Sequence, residues 1–184
     1  MGYRIVAALL LAGLTACAPW PIGEAGVLSG QTLTRGAAIL VMTVPDQKLS
    51  VDEFVENSGV AIVRSTRRQL AGVGCEAFAN NADTLADAFS AARDLGCELV
   101  AQAEIIEWRD QGANWVRGGD RLAVLLKLWS VEDRAMVAWG AEDVEDKTMV
   151  SGIEPPHRLA EELMKKIVNE IFAPGATVSQ YVEQ

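Results

Sequence analysis

The chain has 184 residues, 25 acidic and 16 basic, for a formal charge of −9. That length argues for one ordinary domain, and the acidic balance argues against nucleic acid or an anionic membrane surface as a partner, since both reward clustered Lys and Arg. Half of the residues are apolar and 22% are charged, which excludes a disordered chain; one His and three Cys leave little material for catalysis.

Residues 1–16 read as an export signal. Arg4 supplies the positive n-region, and residues 5–14 form a ten-residue apolar stretch, too short to span a bilayer. The stretch runs into Leu14-Thr15-Ala16-Cys17, which resembles the bacterial lipobox. That resemblance implies cleavage before Cys17 and acylation there, with multiple chains giving durable anchoring. The bland alternative is an ordinary secretory signal cut near Ala16 or Ala18. Ala18, where an Asp would retain such a protein at the inner membrane, implies the outer membrane of a Gram-negative cell. Arg4 is the only charge in the first 16 residues, so the mature chain carries −10.

Residues 17–36, rich in Pro, Gly and small side chains, read as a lipidated tether, with Trp20 placed to dip into the lipid interface. Residues 37–172 form the expected periplasmic domain and 173–184 a flexible tail. The apolar run 37–44 suits a buried central strand. Ser58 can cap a helix carrying Ile62, Val63, Thr66 and Leu70, and a short strand follows at 73–78. Asp83 can cap a second helix, where Leu85, Ala88, Phe89, Ala92 and Leu95 trace one face. Segments 98–108 and 121–131 alternate, and Glu132-Asp133-Arg134 turns the chain into a third alternating strand, 135–145. Pro155-Pro156 introduces a last helix with the stripe Leu159, Leu163, Ile167 and Ile171.

The order β-α-β-α-β-β-β-α gives an α/β (α+β) fold: a mixed sheet of about five strands with three helices mainly on one face. The other face, left open, would carry Gln102, Glu104, Trp108, Lys127 and Trp129. Cys75 lies near the start of one expected strand and Cys97 just before the next, across a single helical crossover. In an oxidising compartment they are expected to pair, the alternative being two buried free thiols.

Chemistry is sparse. His157 stands at a helix start, with no Ser in a nucleophile elbow and no Cys in a catalytic setting. Glu142, Asp143, Glu145 and Asp146 lack the loop of a calcium site and read as a charged hairpin end. Gly72-x-Gly74 lacks the rest of a phosphate loop. No metal site, cofactor or enzymatic activity is expected.

The stretch from Trp108 to Arg121 is richer. Ile105, Trp108, Asp110, Trp115, Asp120 and Arg121 resemble the hallmark of a family of small proteobacterial lipoproteins classed only as a domain of unknown function. Asn57-Ser58-Gly59 is also similar. The element order is more distantly similar to periplasmic domains of the curli-export, penicillin-binding-protein-activator and Tol-N-terminal type. The resemblance implies a scaffold or binding component of an envelope assembly, with an envelope protein or further copies of the chain as partner. Trp108, Asp110, Trp115, Asp120, Arg121 and Trp129 are the candidate interaction surface, because Trp and Arg dominate protein interfaces. The bland reading is that the aromatics cover one end of the sheet while Asp120 and Arg121 pin a loop. A small-ligand or glycan binder is the alternative function.

Overall fold

The computed structural model describes residues 21–48, 54–109, 121–145 and 157–178. Its elements are β1 (Glu24–Leu28), β2 (Ala38–Val41), α1 (Ser58–Gly72), β3 (Glu76–Ala79), α2 (Leu85–Asp94), β4 (Leu99–Arg109), β5 (Arg121–Ser130), β6 (Met136–Glu145), α3 (His157–Ile171) and β7 (Thr177–Val178). The strands form one mixed sheet in the order β3-β2-β4-β5-β6-β1-β7. The α/β class holds, with seven strands where about five were expected. Both additions lie outside the expected domain limits. β1 falls within 17–36, where it pairs antiparallel with β6, and β7 falls within 173–184 and pairs parallel with β1. Five residues interrupted by Gly26, and a strand of two, are too short to register as periodicity.

Strand β2 lies between β3 and β4 and is parallel to both. The crossover β2-α1-β3 therefore steps one way along the sheet, and β3-α2-β4 steps back across β2. Two crossovers of the same hand that step in opposite directions must place their helices on opposite faces. Accordingly α1 and α3 share one face. There Ile62, Leu70, Leu163 and Ile167 pack with Ile39, Val41, Ala101, Val124 and Leu126. On the other face, Ala88, Phe89 and Ala92 of α2 pack with Leu40, Met42 and Val100. Two of the three helices share a face as expected; α2 does not. The unbroken apolar run of β2 is the sequence correlate, since each face of that strand meets a helix.

The same strand order separates the cysteines. Glu76 N–H donates to Ala37 O at 3.1 Å and Glu98 N–H to Ala38 O at 2.8 Å, so Cys75 and Cys97 flank β2 from opposite sides. Two inter-strand spacings make about 9–10 Å, beyond the ~7 Å that a disulfide can bridge. Cys75 belongs to the core on the α1 face and Cys97 to the core on the α2 face. The expected Cys75–Cys97 disulfide is therefore corrected: both are free, buried thiols. Burial pushes each thiol above its ordinary pKa, which keeps it protonated and unreactive. Non-reduced protein is expected to show two free thiols by intact mass, alkylated only after unfolding.

The start of α1 is held by a residue the capping pattern did not single out. Asn57 adopts a left-handed conformation (φ 63°) and gives no side-chain cap. Asp46, just past β2, accepts from Asn57 N–H at 3.0 Å and Gly59 N–H at 2.8 Å, while Ser58 Oγ accepts from Gln47 N–H at 2.8 Å. A carboxylate on these amides also faces the positive end of the helix dipole. The approach is so close that a Cβ on Gly59 would collide with Val44 O and lie 2.8 Å from its carbonyl carbon. At α2 the cap is Thr84, one residue beyond Asp83; its side chain accepts from Asp87 N–H. Gly59→Ala is expected to destabilise the fold by about 3 kcal/mol in denaturant unfolding, because backbone must move to admit the methyl.

Candidate functional site

The candidate residues lie where β4, β5 and β6 end and begin. In β4, Leu99, Ala101, Ala103 and Ile105 point to the α1/α3 side, as alternation requires. The pairing with β5 then slips between Ile105 and Glu107. This bulge adds one residue and reverses the facing beyond it. Trp108 consequently pairs with Leu122, is 3% exposed and packs in the main core. Its expected place on an open face is corrected.

Trp129 does lie on the second face, but that face is not bare. Its indole N–H donates to Gln102 Oε1 at 3.1 Å, and its ring packs with the α2 cluster. Lys127 is buried beside Glu104, with Nζ 3.8 Å from Oε1. Further along, Leu28, Leu125, Trp139, Ala141 and Val178 form a third buried cluster. Only Glu104 and half-buried Gln102 and Trp129 keep substantial exposure among the five residues expected there.

Arg121 is held in an ionic group. Its Nε and Nη2 donate to Asp143 Oδ2 at 3.1 and 2.7 Å, and Nη1 lies 3.5 Å from Glu107 Oε2. Glu107 and Asp143 both stand opposite Ala123, from the two neighbouring strands. The small alanine lets the guanidinium reach between two carboxylates, an arrangement that raises the Arg121 pKa through the Asp143 hydrogen bond. Arg109 Nη2, on the same strand as Glu107, is 3.3 Å from it, while Arg121 joins all three strands. Sequence reading named Arg121 but missed Glu107; the bulge, invisible in the pattern, brings it there. Asp110, Trp115, Asp120 and Cys17 lie outside the described residues.

The acidic run resolves by alternation: Asp143 serves Arg121 on one face, and Glu142 serves α3 on the other. Glu142 is 2% exposed, and Lys166 Nζ donates to its Oε2 at 2.6 Å. Its Oε1 has no donor. Glu170 lies one helical turn beyond Lys166, against Glu142. Desolvation first, then the Glu142 carboxylate, push Glu170 above the ordinary carboxylate range. When Glu170 is protonated, its hydroxyl can supply the donor that Glu142 lacks. A raised folded-state pKa gives stability that is present below the unfolded value, about 4.5, and lost as pH rises through the folded one. The melting-temperature advantage of Glu170→Gln over wild type should therefore grow with pH above about 4.5 and then level off; a pH series of thermal melts checks it.

At the far end of the sheet an open cleft of about 470 Å³ is lined by Gln31, Arg93, Cys97, Glu98, Ser130 and Asp133, among others. Ser130 Oγ and Asp133 are already joined to each other, by a 3.0 Å side-chain bond and a 3.1 Å amide bond. Among the described residues no three His, Cys, Asp or Glu side chains are placed to hold a metal ion.

No family model matches the chain, and no curated protein matches it. Solved structures do. The PelC dodecamer from Paraburkholderia phytofirmans is 17% identical with a TM-score of 0.60, covering 81% of this chain and 98% of that one. A single-substitution variant of that dodecamer is 19% identical at the same score, over 79% and 96%. The lipoprotein GNA1162 from Neisseria meningitidis is 16% identical over 72% and 97%, with a TM-score of 0.48. At these identities the likeness is one of fold.

Proposed function

We propose that the chain is an outer-membrane lipoprotein, anchored through acylated Cys17. Its periplasmic domain would act without catalysis as a subunit of an envelope assembly built from further copies. The observation that carries the assembly is the shared fold with a protein that forms a dodecamer, over 98% of that chain. The lipobox carries the anchor. The polar groups described at the candidate site favour this reading over catalysis: Arg121, Glu107 and Asp143 are engaged with one another, which suits rigid surface.

The alternative, a periplasmic small-ligand or glycan binder, has the far-end cleft in its favour. Its volume, about 470 Å³, lies within the range of ligand sites, but ligands are usually buried far more deeply than such an open cleft permits.

Two measurements test the proposal. Cys17→Ser should abolish acylation by intact mass and release the protein from the outer-membrane fraction. Light scattering of the purified acylated protein in detergent should give a mass several times that of one chain. A monomer at every concentration tested would overturn the assembly, and Cys17→Ser protein that stayed membrane-bound after a high-salt wash would overturn the anchor.

A further inference from the structure

The start of the sheet constrains how the domain sits. Gly23 N–H donates to Ala141 O at 2.7 Å, and Glu24 pairs with Ala141, so the chain is part of the rigid sheet from Gly23 onward. Only five residues separate Gly23 from Cys17. Fully extended, six Cα steps reach at most about 20–22 Å. Antiparallel to β1, strand β6 runs from Ala141 back to Met136 and the turn at 131–135. That turn lies about 25 Å from Gly23, at roughly 3.4 Å per residue.

Those lengths decide the matter. If the 131–135 turn touched the lipid, Gly23 would stand about 25 Å above it, beyond the reach of the connection. The end at Gly23 also offers lipid an apolar contact. Beside Gly23, Ile22 offers an apolar side chain 42% exposed. The cations nearby are already matched: Arg121 with Asp143, Arg109 with Glu107, Lys166 with Glu142.

We propose that the sheet end bearing Ile22 and Glu24 faces the phospholipid surface, held there by a connection too short for the domain to turn over. This rests on acylation of Cys17. The far-end cleft then opens away from the bilayer.

The test uses the full acylated chain in vesicles of phosphatidylethanolamine and phosphatidylglycerol containing a headgroup spin-labelled lipid. A fluorophore is placed at Glu24→Cys or, separately, at Glu132→Cys; both positions are exposed, and Cys75 and Cys97 are buried from the reagent. Glu24→Cys should be quenched several-fold more than Glu132→Cys. Inserting about 15 Gly/Ser residues after Trp20, which adds a coil of about 20 Å, should shrink the difference. Equal quenching in the uninserted chain, or stronger quenching at Glu132→Cys, overturns the orientation. A difference unaffected by the insertion overturns the short connection as its cause. Intact mass separates these from failure of the anchor: a chain without acyl groups overturns both.

Discussion

Everything in this fold turns on the burial of β2 from both sides. Its backbone carries β3 on one edge and β4 on the other, and its alternate side chains feed two cores that never meet. A strand of four residues can do this because each of Ala38–Val41 is apolar. Once it is central, α1 and α2 must take opposite faces, and the residues leading into β3 and β4 must be held apart. The thiol chemistry of the chain follows from that one placement. So does the cover over Trp129, since α2 sits on the face that a one-sided packing would have left wet.

The class of fold was legible because its largest elements carry strong periods. The alternation of β5 and the stripe of α3, with Leu163 and Ile167 facing the core, read directly from the chain. What escaped the reading was set by other segments. The position of β2 between β3 and β4 is a choice of strand order, and both orders satisfy the same apolar pattern. The bulge before Glu107 depends on how β4 meets β5, so Trp108 faced the wrong way in a strict alternation. The cap of α1 comes from Asp46, eleven residues before Asn57, beyond the local window in which capping is sought.

At the candidate site the geometry revises the surroundings of two residues that the sequence singled out, Trp108 and Arg121. Trp and Arg at one sheet end suggested a surface offered to a partner. The geometry gives Trp108 to the core, and it gives Arg121 to Glu107 and Asp143, across three strands whose register no local pattern specifies. Exposed ion pairs of this kind contribute little stability singly. Three strands joined through one guanidinium gain positional definition instead.

The place of β1 has a mechanical consequence. It is bonded antiparallel to β6 on one side and parallel to β7 on the other, and the chain enters it from a turn at Ile22 and Gly23. A pull applied to Glu24 along the strand axis runs roughly perpendicular to its antiparallel hydrogen bonds. Such a load is shared by the whole ladder and works in shear; it cannot peel the bonds away one at a time. Gly140, where a Cβ would meet both Ala25 and Ile167 of α3, lets strand and helix close tightly over the loaded ladder. The first strand of the sheet is thus positioned to resist extraction by tension along its axis.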